Sequence, residues 1–255
     1  MLAAILENMP SDQLVIHDDV TLRDLAPGEV QIKVAHSGVC HSDLSVMNGT
    51  IPQQVPCVLG HEGAGVVTDV GDGVTHVAPG DHVIIAFSPP CGTCPFCTGR
   101  NQPNLCMTGM IAMATSQQFR RGDTVVGSMS GCGTFAEETI VPGFAAIKID
   151  QDVPLDVAAL IGCGVTTGVG AAMNTAKVSP GSSVCIIGAG GVGVAAIQGA
   201  RIAGAAEIVA IDLHEGKLER AKAFGATHGA VPEDVPAVMA EVTGGEGFDY
   251  TLECI

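Results

Sequence analysis

The stretch "SVCIIGAGGVGVAAIQGARIAGAAEIVAID", residues 183–212, decides how the second half of the chain is read. It opens on a short apolar run, passes through "GAGGVG" at residues 188–193, continues with helical spacing and closes on a second apolar run ending at Asp212. That order predicts a buried strand, a glycine turn, a helix and another buried strand. The G-x-G-x-x-G spacing makes separate demands on its glycines. Gly188 permits a tight turn, Gly190 lets a pyrophosphate approach the backbone, and Gly193 lets helix and strand pack closely. N–H groups at the helix start then face the anion. In a chain with 34 glycines the pattern alone is weak; its place between a strand and a helix makes it a dinucleotide-binding turn. A carboxylate at Asp212 is positioned to accept hydrogen bonds from an adenosine ribose and to repel a 2′-phosphate, favouring NAD over NADP. The competing reading of Asp212 is a helix cap or a solvated turn residue.

Downstream, "HEGKLERAKAFG" reads as a helix, "THGAV" as a short strand, "PEDVPAVMAEVTG" as a helix and "FDYTLECI" as a strand. Such alternation implies a parallel sheet with helices on its faces. Upstream, "DVPLDVAALIGCGVTTGVGAAMN" reads as a helix entering a glycine-interrupted helix. The first half has a different texture. "EVQIKVAHSGV" alternates as a half-buried strand does, and "GAGVVTDVGDGV", "GDHVIIAF", "GTFAEETIV" and "AAIKI" continue in that style between glycines and prolines. A strand-rich first domain over residues 1–164 and a second domain over residues 165–255 are expected.

Hydrophobic residues make up 47% of the 255 and the mean hydropathy is +0.39, so a sizeable core is expected rather than disorder. A net charge of −16 repels nucleic acid and anionic membrane surfaces, which excludes both as partners. The start, "MLAAILENMPSDQLVIHDD", has no basic segment followed by a long apolar one, so no secretory signal is expected and the compartment is read as the reducing cytoplasm. Residues 178–200 are uncharged, yet six glycines and Pro180-Gly181 make them a turn, a strand and a loop rather than a membrane span.

Four of the ten cysteines lie in "CGTCPFCTGRNQPNLC", residues 91–106. Cys91, Cys94, Cys97 and Cys106 are close enough to surround one tetrahedral zinc, each thiolate about 2.3 Å from the ion. Four sulfurs leave no open position, so such a site is structural. A redox C-x-x-C pair is the next reading and disulfides the third, disfavoured in a reducing compartment. A second constellation is scattered: Cys40 in "GVCHSD", His61 with Glu62 in "GHEGAG", and Cys163 in "IGCGVTTG", each in a glycine-bounded loop or at an element end. Two thiolates and an imidazole form a three-ligand zinc site with one open position. Spacing alone does not bring them together; separate buried cysteines and a satisfied histidine compete with that reading.

Six ordered motifs, "GVCHSDL", "VLGHEGAGVV", "CGTCPFC…C", "GCGVTTG", "GAGGVG" and "AIDLHEGKLERAKAFGATH", give the chain its resemblance to the zinc-dependent medium-chain alcohol dehydrogenases. The match covers essentially the whole chain. It implies a mixed α/β protein, with a GroES-like catalytic domain followed by a Rossmann-type NAD-binding domain. It implies two zinc ions and NAD as cofactors, and oxidation of a small alcohol to an aldehyde or ketone. By resemblance Cys40, His61 and Cys163 hold the catalytic zinc, with Glu62 a nearby carboxylate that ligates transiently. Asp43 orients His61, Ser42 takes the proton of the alcohol, and Phe87 lines the substrate channel. Thr167 and Val192 meet the nicotinamide side, and Lys217 lies near the adenosine ribose. Cys91, Cys94, Cys97 and Cys106 match the structural zinc lobe.

Two positions depart from the family's pattern. His41 stands where many members have an arginine against the pyrophosphate, and Ser45 where several have a histidine ending the proton relay, so proton exit falls to His41 or water. Cys57, Cys132, Cys185 and Cys254 match no ligand position and read as packed thiols. A doubly wound domain has six strands in the order 3-2-1-4-5-6. The text ends after the expected fourth, so a C-terminal truncation relative to the family is expected, with a homo-oligomer expected of a full-length form. Two alternatives follow: a catalytically silent zinc-binding fragment, or a thiol-adduct formaldehyde dehydrogenase or nicotinoprotein relative.

Overall fold

The alternation in residues 29–38 becomes a ten-residue strand, Glu29–Gly38, whose inward positions Val30 and Ile32 are fully buried. The computed structural model describes residues 1–255, which form two compact units, Met1–Cys163 and Gly164–Ile255. In the first, Glu29–Gly38 lies near the centre of an antiparallel sheet ordered Glu138–Pro142, Glu29–Gly38, Glu62–Val70, His82–Ile85, Ala146–Ile149. All five strands fall on stretches that the apolar patterning marks out. Their inward side chains, including Val67, Val83, Ile85 and Val141, build one core.

A second sheet in this unit was not expected from the sequence. Its order is Val15–His17, Ala3–Leu6, Cys57–Val58, Thr124–Ser128, Phe119–Arg121, Val20–Leu22. Its strands are two to five residues long, and Ile5, Val20, Val58, Phe119 and Val126 form its core. Such short runs carry no local periodicity to read. The helix Met107–Ala114 was likewise unexpected, because "MTGMIAMA" is apolar almost all round.

In the second unit four parallel strands run in the order His228–Ala230, Glu207–Ile211, Ser183–Ile187, Tyr250–Glu253. This is the 3-2-1-4 arrangement of a doubly wound sheet. Successive residues on a strand face opposite ways. Ile186 and Ile208 therefore pack with Ile197, Ala200 and Leu218 from helices Gly191–Ile202 and Glu215–Phe224. Cys185 and Val209 pack on the other side with Val235, Val238 and Val242 of helix Val235–Thr243. Residues 178–200 resolve into a strand, a turn and most of a helix, as the glycines require. By length and composition Leu155–Thr175 could cross a membrane, with mean hydropathy 1.5 over its best window. It also carries Cys163, one of the polar cluster described next.

Candidate functional site: two cysteine-rich clusters and a glycine turn

Cys40 directly precedes the helix His41–Met47, and His61 directly precedes the strand Glu62–Val70. Cys163 lies inside a wide π-helical turn, Ile161–Val165, that continues the helix Leu155–Leu160 within the stretch that reads as a glycine-interrupted helix. Flanking glycines allow this, since a Cβ on Gly162 would lie 2.9 Å from the carbonyl oxygen of Ile85. The helix can thus press against the strand His82–Ile85. The ligand atoms of Cys40, His61, Glu62 and Cys163 all lie within 4.8 Å of one another, and three of the four residues are buried.

Asp43 organises this cluster. Its carboxylate is buried and accepts from the backbone N–H groups of Cys40 (2.9 Å) and Gly60 (3.0 Å). One short side chain thereby ties the residue before one donor to another donor's own backbone. Asp43 Oδ1 also lies 3.4 Å from His61 Nδ1, but too obliquely for a hydrogen bond, which leaves that buried nitrogen without a hydrogen-bond partner. With Nδ1 turned to Asp43, Nε2 is the ring nitrogen left for the thiols. Burial works to lower the His61 pKa, yet Asp43 and Cys163 outweigh it and push it up to about 11. Burial raises and Ser42 and His61 more strongly lower the Cys40 thiol, with a net downward shift. Two sulfurs and an imidazole gathered beside a buried carboxylate suit zinc.

Around the cluster, Ser42 Oγ is 3.6 Å from Cys40 Sγ, and His41 is exposed. Phe87 meets the His61 ring edge-on, with centroids 5.6 Å apart. Glu62 fits because residue 38 is glycine: a Cβ there would collide with Glu62 Oε2. Thr134 is buried and shares a 2.7 Å hydroxyl contact with Ser37. Gly38, Ser37 and Thr134 were not singled out from the sequence, and nothing local could have flagged them, because their partners come from strands far apart in the text.

Cys91, Cys94, Cys97 and Cys106 form the second cluster. Cys94 Sγ is 3.6 Å from Cys97 Sγ and 3.7 Å from Cys106 Sγ. Sulfurs at about 2.3 Å from a tetrahedral ion stand about 3.8 Å apart, against about 2.05 Å in a disulfide. All ten cysteines are free thiols. Backbone N–H groups point at the sulfurs: Cys91 and Gly109 donate to Cys106 Sγ at 3.2 Å, and Cys94 donates to Cys91 Sγ at 3.4 Å. The Thr93 hydroxyl and backbone N–H groups bring the Cys91 thiol down to about 5. Both the spacing and the donors fit a closed zinc site.

At the glycine turn, Gly188 has φ +96°, and a Cβ on it would lie 2.9 Å from Cys254 O. A Cβ on Gly193 would strike the carbonyl of Gly188. Gly190 and Gly191 face open space, and Val192 lies in the first turn of Gly191–Ile202. Asp212 is engaged by its own surroundings: Oδ2 accepts from Ala189 N (3.0 Å) and Lys217 Nζ (3.4 Å), and Oδ1 from His214 N (3.0 Å). Burial raises and these donors together more strongly lower its pKa. Asp212 thus ties the glycine turn to the next strand. Thr167 is exposed in Thr166–Gly170.

Comparison with known proteins agrees with this geometry. Residues 26–151 match the alcohol dehydrogenase GroES-like domain and residues 191–255 the zinc-binding dehydrogenase domain. An alcohol dehydrogenase zinc-binding domain protein from Burkholderia ambifaria superposes with TM-score 0.90 at 35% identity, over 99% of this chain and 70% of that one. Benzyl alcohol dehydrogenase from Acinetobacter calcoaceticus gives TM-score 0.85 at 34% identity, over 99% and 69%. S-(hydroxymethyl)glutathione dehydrogenase from Photobacterium damsela subsp. piscicida is 47% identical, over 91% of this chain and 66% of its own length. The chain belongs to the zinc-dependent alcohol dehydrogenase family, a family of zinc- and dinucleotide-dependent oxidoreductases. It spans 66% of the length of the curated relatives it matches.

Proposed function

We propose that the protein is a zinc-dependent alcohol dehydrogenase that oxidises a small alcohol to an aldehyde or ketone with NAD. The single observation that carries this reading is the gathering of Cys40, His61, Glu62 and Cys163 within 4.8 Å. Cys40, His61 and Cys163 would hold a catalytic zinc, with Glu62 beside them, and Cys91, Cys94, Cys97 and Cys106 a structural one. Zinc supplies Lewis acidity that eases loss of the alcohol's proton, and NAD accepts the hydride. The chain's own residues do the rest. Asp43 fixes Cys40 and His61 in place. Ser42 Oγ, 3.6 Å from Cys40 Sγ, takes the substrate proton and hands it to the exposed His41 or to water. Phe87, packed edge-on to His61, offers an apolar wall to the substrate carbon. Gly188, Gly190 and Gly193 cradle the pyrophosphate, His41 contacts it, and Asp212 with Lys217 meets the adenosine ribose. Thr167 and Val192 meet the nicotinamide. The domains fall at residues 1–164 and 165–255, the protein works in the cytoplasm without nucleic-acid or membrane partners, and a full-length form is a homo-oligomer.

A second reading concerns the alcohol. The curated relatives are named S-(hydroxymethyl)glutathione dehydrogenase, which favours the hydroxymethyl adduct of a thiol as substrate. Zinc content and NADH formation test both readings. The expected result is one zinc per cluster, and NADH formation from benzyl alcohol or from formaldehyde with glutathione. Cys163→Ala should lose one zinc and the activity together. Zinc in both clusters without NADH formation from either substrate would make the chain a silent zinc binder, and turnover retained by Cys163→Ala would remove the assignment.

A further inference from the structure

Away from both clusters, the first unit has a cleft of about 600 Å³ lined by Arg23, Gly28, Glu29, Gln117, Arg120 and Phe144, among others. Arg23 and Arg120 both line it, in a chain with only 11 Lys and Arg against 27 Asp and Glu. Their partners differ. Arg23 is neutralised: its NH1 and NH2 donate to both oxygens of Glu29 at 2.7 and 2.6 Å. Arg120 has no carboxylate partner. Its NH1 donates to the carbonyls of Gln117 and Phe119, each at 2.8 Å. Those two bonds fix the plane of the guanidinium, while Nε and NH2 keep donor capacity that no protein acceptor uses.

A guanidinium held in this way is prepared for a planar, two-oxygen anion. Pro27, Pro142 and the ring of Phe144 give the cleft apolar lining beside the charge. Arg23 and Glu29 form a neutral pair, so Arg120 leaves one net positive charge to be matched by a single negative one. We propose that this cleft binds a carboxylate monoanion with an apolar body, its carboxylate on Arg120 and its body against Phe144. The site is separate from the two cysteine-rich clusters, so it stands or falls independently of the dehydrogenase reading.

The test is titration of the isotopically labelled full chain with benzoate, benzyl alcohol and inorganic phosphate, followed by backbone amide NMR. Benzoate should shift the signals of Gly28, Gln117, Arg120 and Phe144. Benzyl alcohol, with the same ring and no carboxylate, should not shift them, and phosphate should bind more weakly than benzoate. Arg120→Gln should weaken benzoate about tenfold, as loss of a charge-assisted pair does, and Arg120→Lys, which keeps the charge without the planar fork, should fall between. Glu29→Gln should tighten binding by freeing Arg23, which keeps the proposal testable if Arg120→Gln does not fold. Equal benzoate affinity in wild type and Arg120→Gln, shifts confined to the cysteine-rich clusters, or tighter binding of phosphate than of benzoate would each overturn it.

Discussion

Replacing Asp43 by asparagine separates a scaffold role from a metal-positioning one. The wild-type carboxylate accepts from Cys40 N at 2.9 Å and Gly60 N at 3.0 Å while buried. Asparagine keeps the shape but has one acceptor oxygen, so whichever way the amide turns, one backbone N–H faces an NH₂. A hydrogen bond to a charged acceptor contributes roughly 1.5–3 kcal/mol, and a donor set against a donor adds to its loss. The expected destabilisation is about 2–4 kcal/mol, read by urea unfolding with and without a chelator. Metal affinity should change as well, because Gly60, the residue before His61, and Cys40 are both loosened. Removing the partner that orients a ligating histidine lowers metal affinity roughly 10–100-fold, or about 1.4–2.8 kcal/mol. Competition against a chromogenic chelator reads this, with the Cys91 cluster as internal reference because Asp43 does not touch it. Destabilisation should therefore be larger with zinc bound than without. An equal loss of stability in the two states, with unchanged affinity at the Cys40 cluster, would refute the positioning role and leave Asp43 a structural clamp.

Three further outcomes are expected. Gly193→Ala drives a methyl group into the carbonyl of Gly188; it should abolish NADH binding, followed by fluorescence, and destabilise the protein by about 1–3 kcal/mol, the usual range for overpacking. Cys94→Ala removes the thiol that lies 3.6 and 3.7 Å from two others; residues 91–106 should then be cut rapidly by protease, as in chelator-treated wild type, and a lobe equally resistant in all three states would mean that the metal does not hold it. Burial raises the Glu29 pKa, but Arg23 and the Ala26 N–H outweigh it and hold the carboxyl below 4.5. A depressed folded-state value means that the Arg23 pair stabilises the protein above that pH and is lost as pH falls through the folded pKa. Acid titrations of wild type and Glu29→Gln should therefore converge at low pH and diverge above it; a gap independent of pH would show that the charge is not what stabilises.

Legibility followed the range over which each constraint acts. The glycine turn could be read because its demands are local: Gly188 needs positive φ, and Gly193 must let a carbonyl pass, whatever the rest of the chain does. The cysteines at 91–106 could be read because four thiols at metal-ligand spacing sit within a single stretch. Cys40, His61 and Cys163 are different in kind. Their separate contexts say nothing about whether they meet; family resemblance suggested it, and the pairing of Glu29–Gly38 with Glu62–Val70 is what brings the first two together, with Gly38 opposite Glu62. The sequence context of Asp212 points to a ribose acceptor, yet much of its carboxylate is taken up by Ala189, His214 and Lys217. Both descriptions hold together only if the residue first shapes the turn and then presents remaining lone pairs to a ligand. The six-stranded sheet stayed hidden for the opposite reason to the glycine turn: Cys57–Val58 is two residues long, and it becomes a strand only because Ile5 and Leu6 lie on one side and Gly127 and Ser128 on the other. A segment whose structure is supplied wholly by its neighbours leaves no periodicity of its own to read.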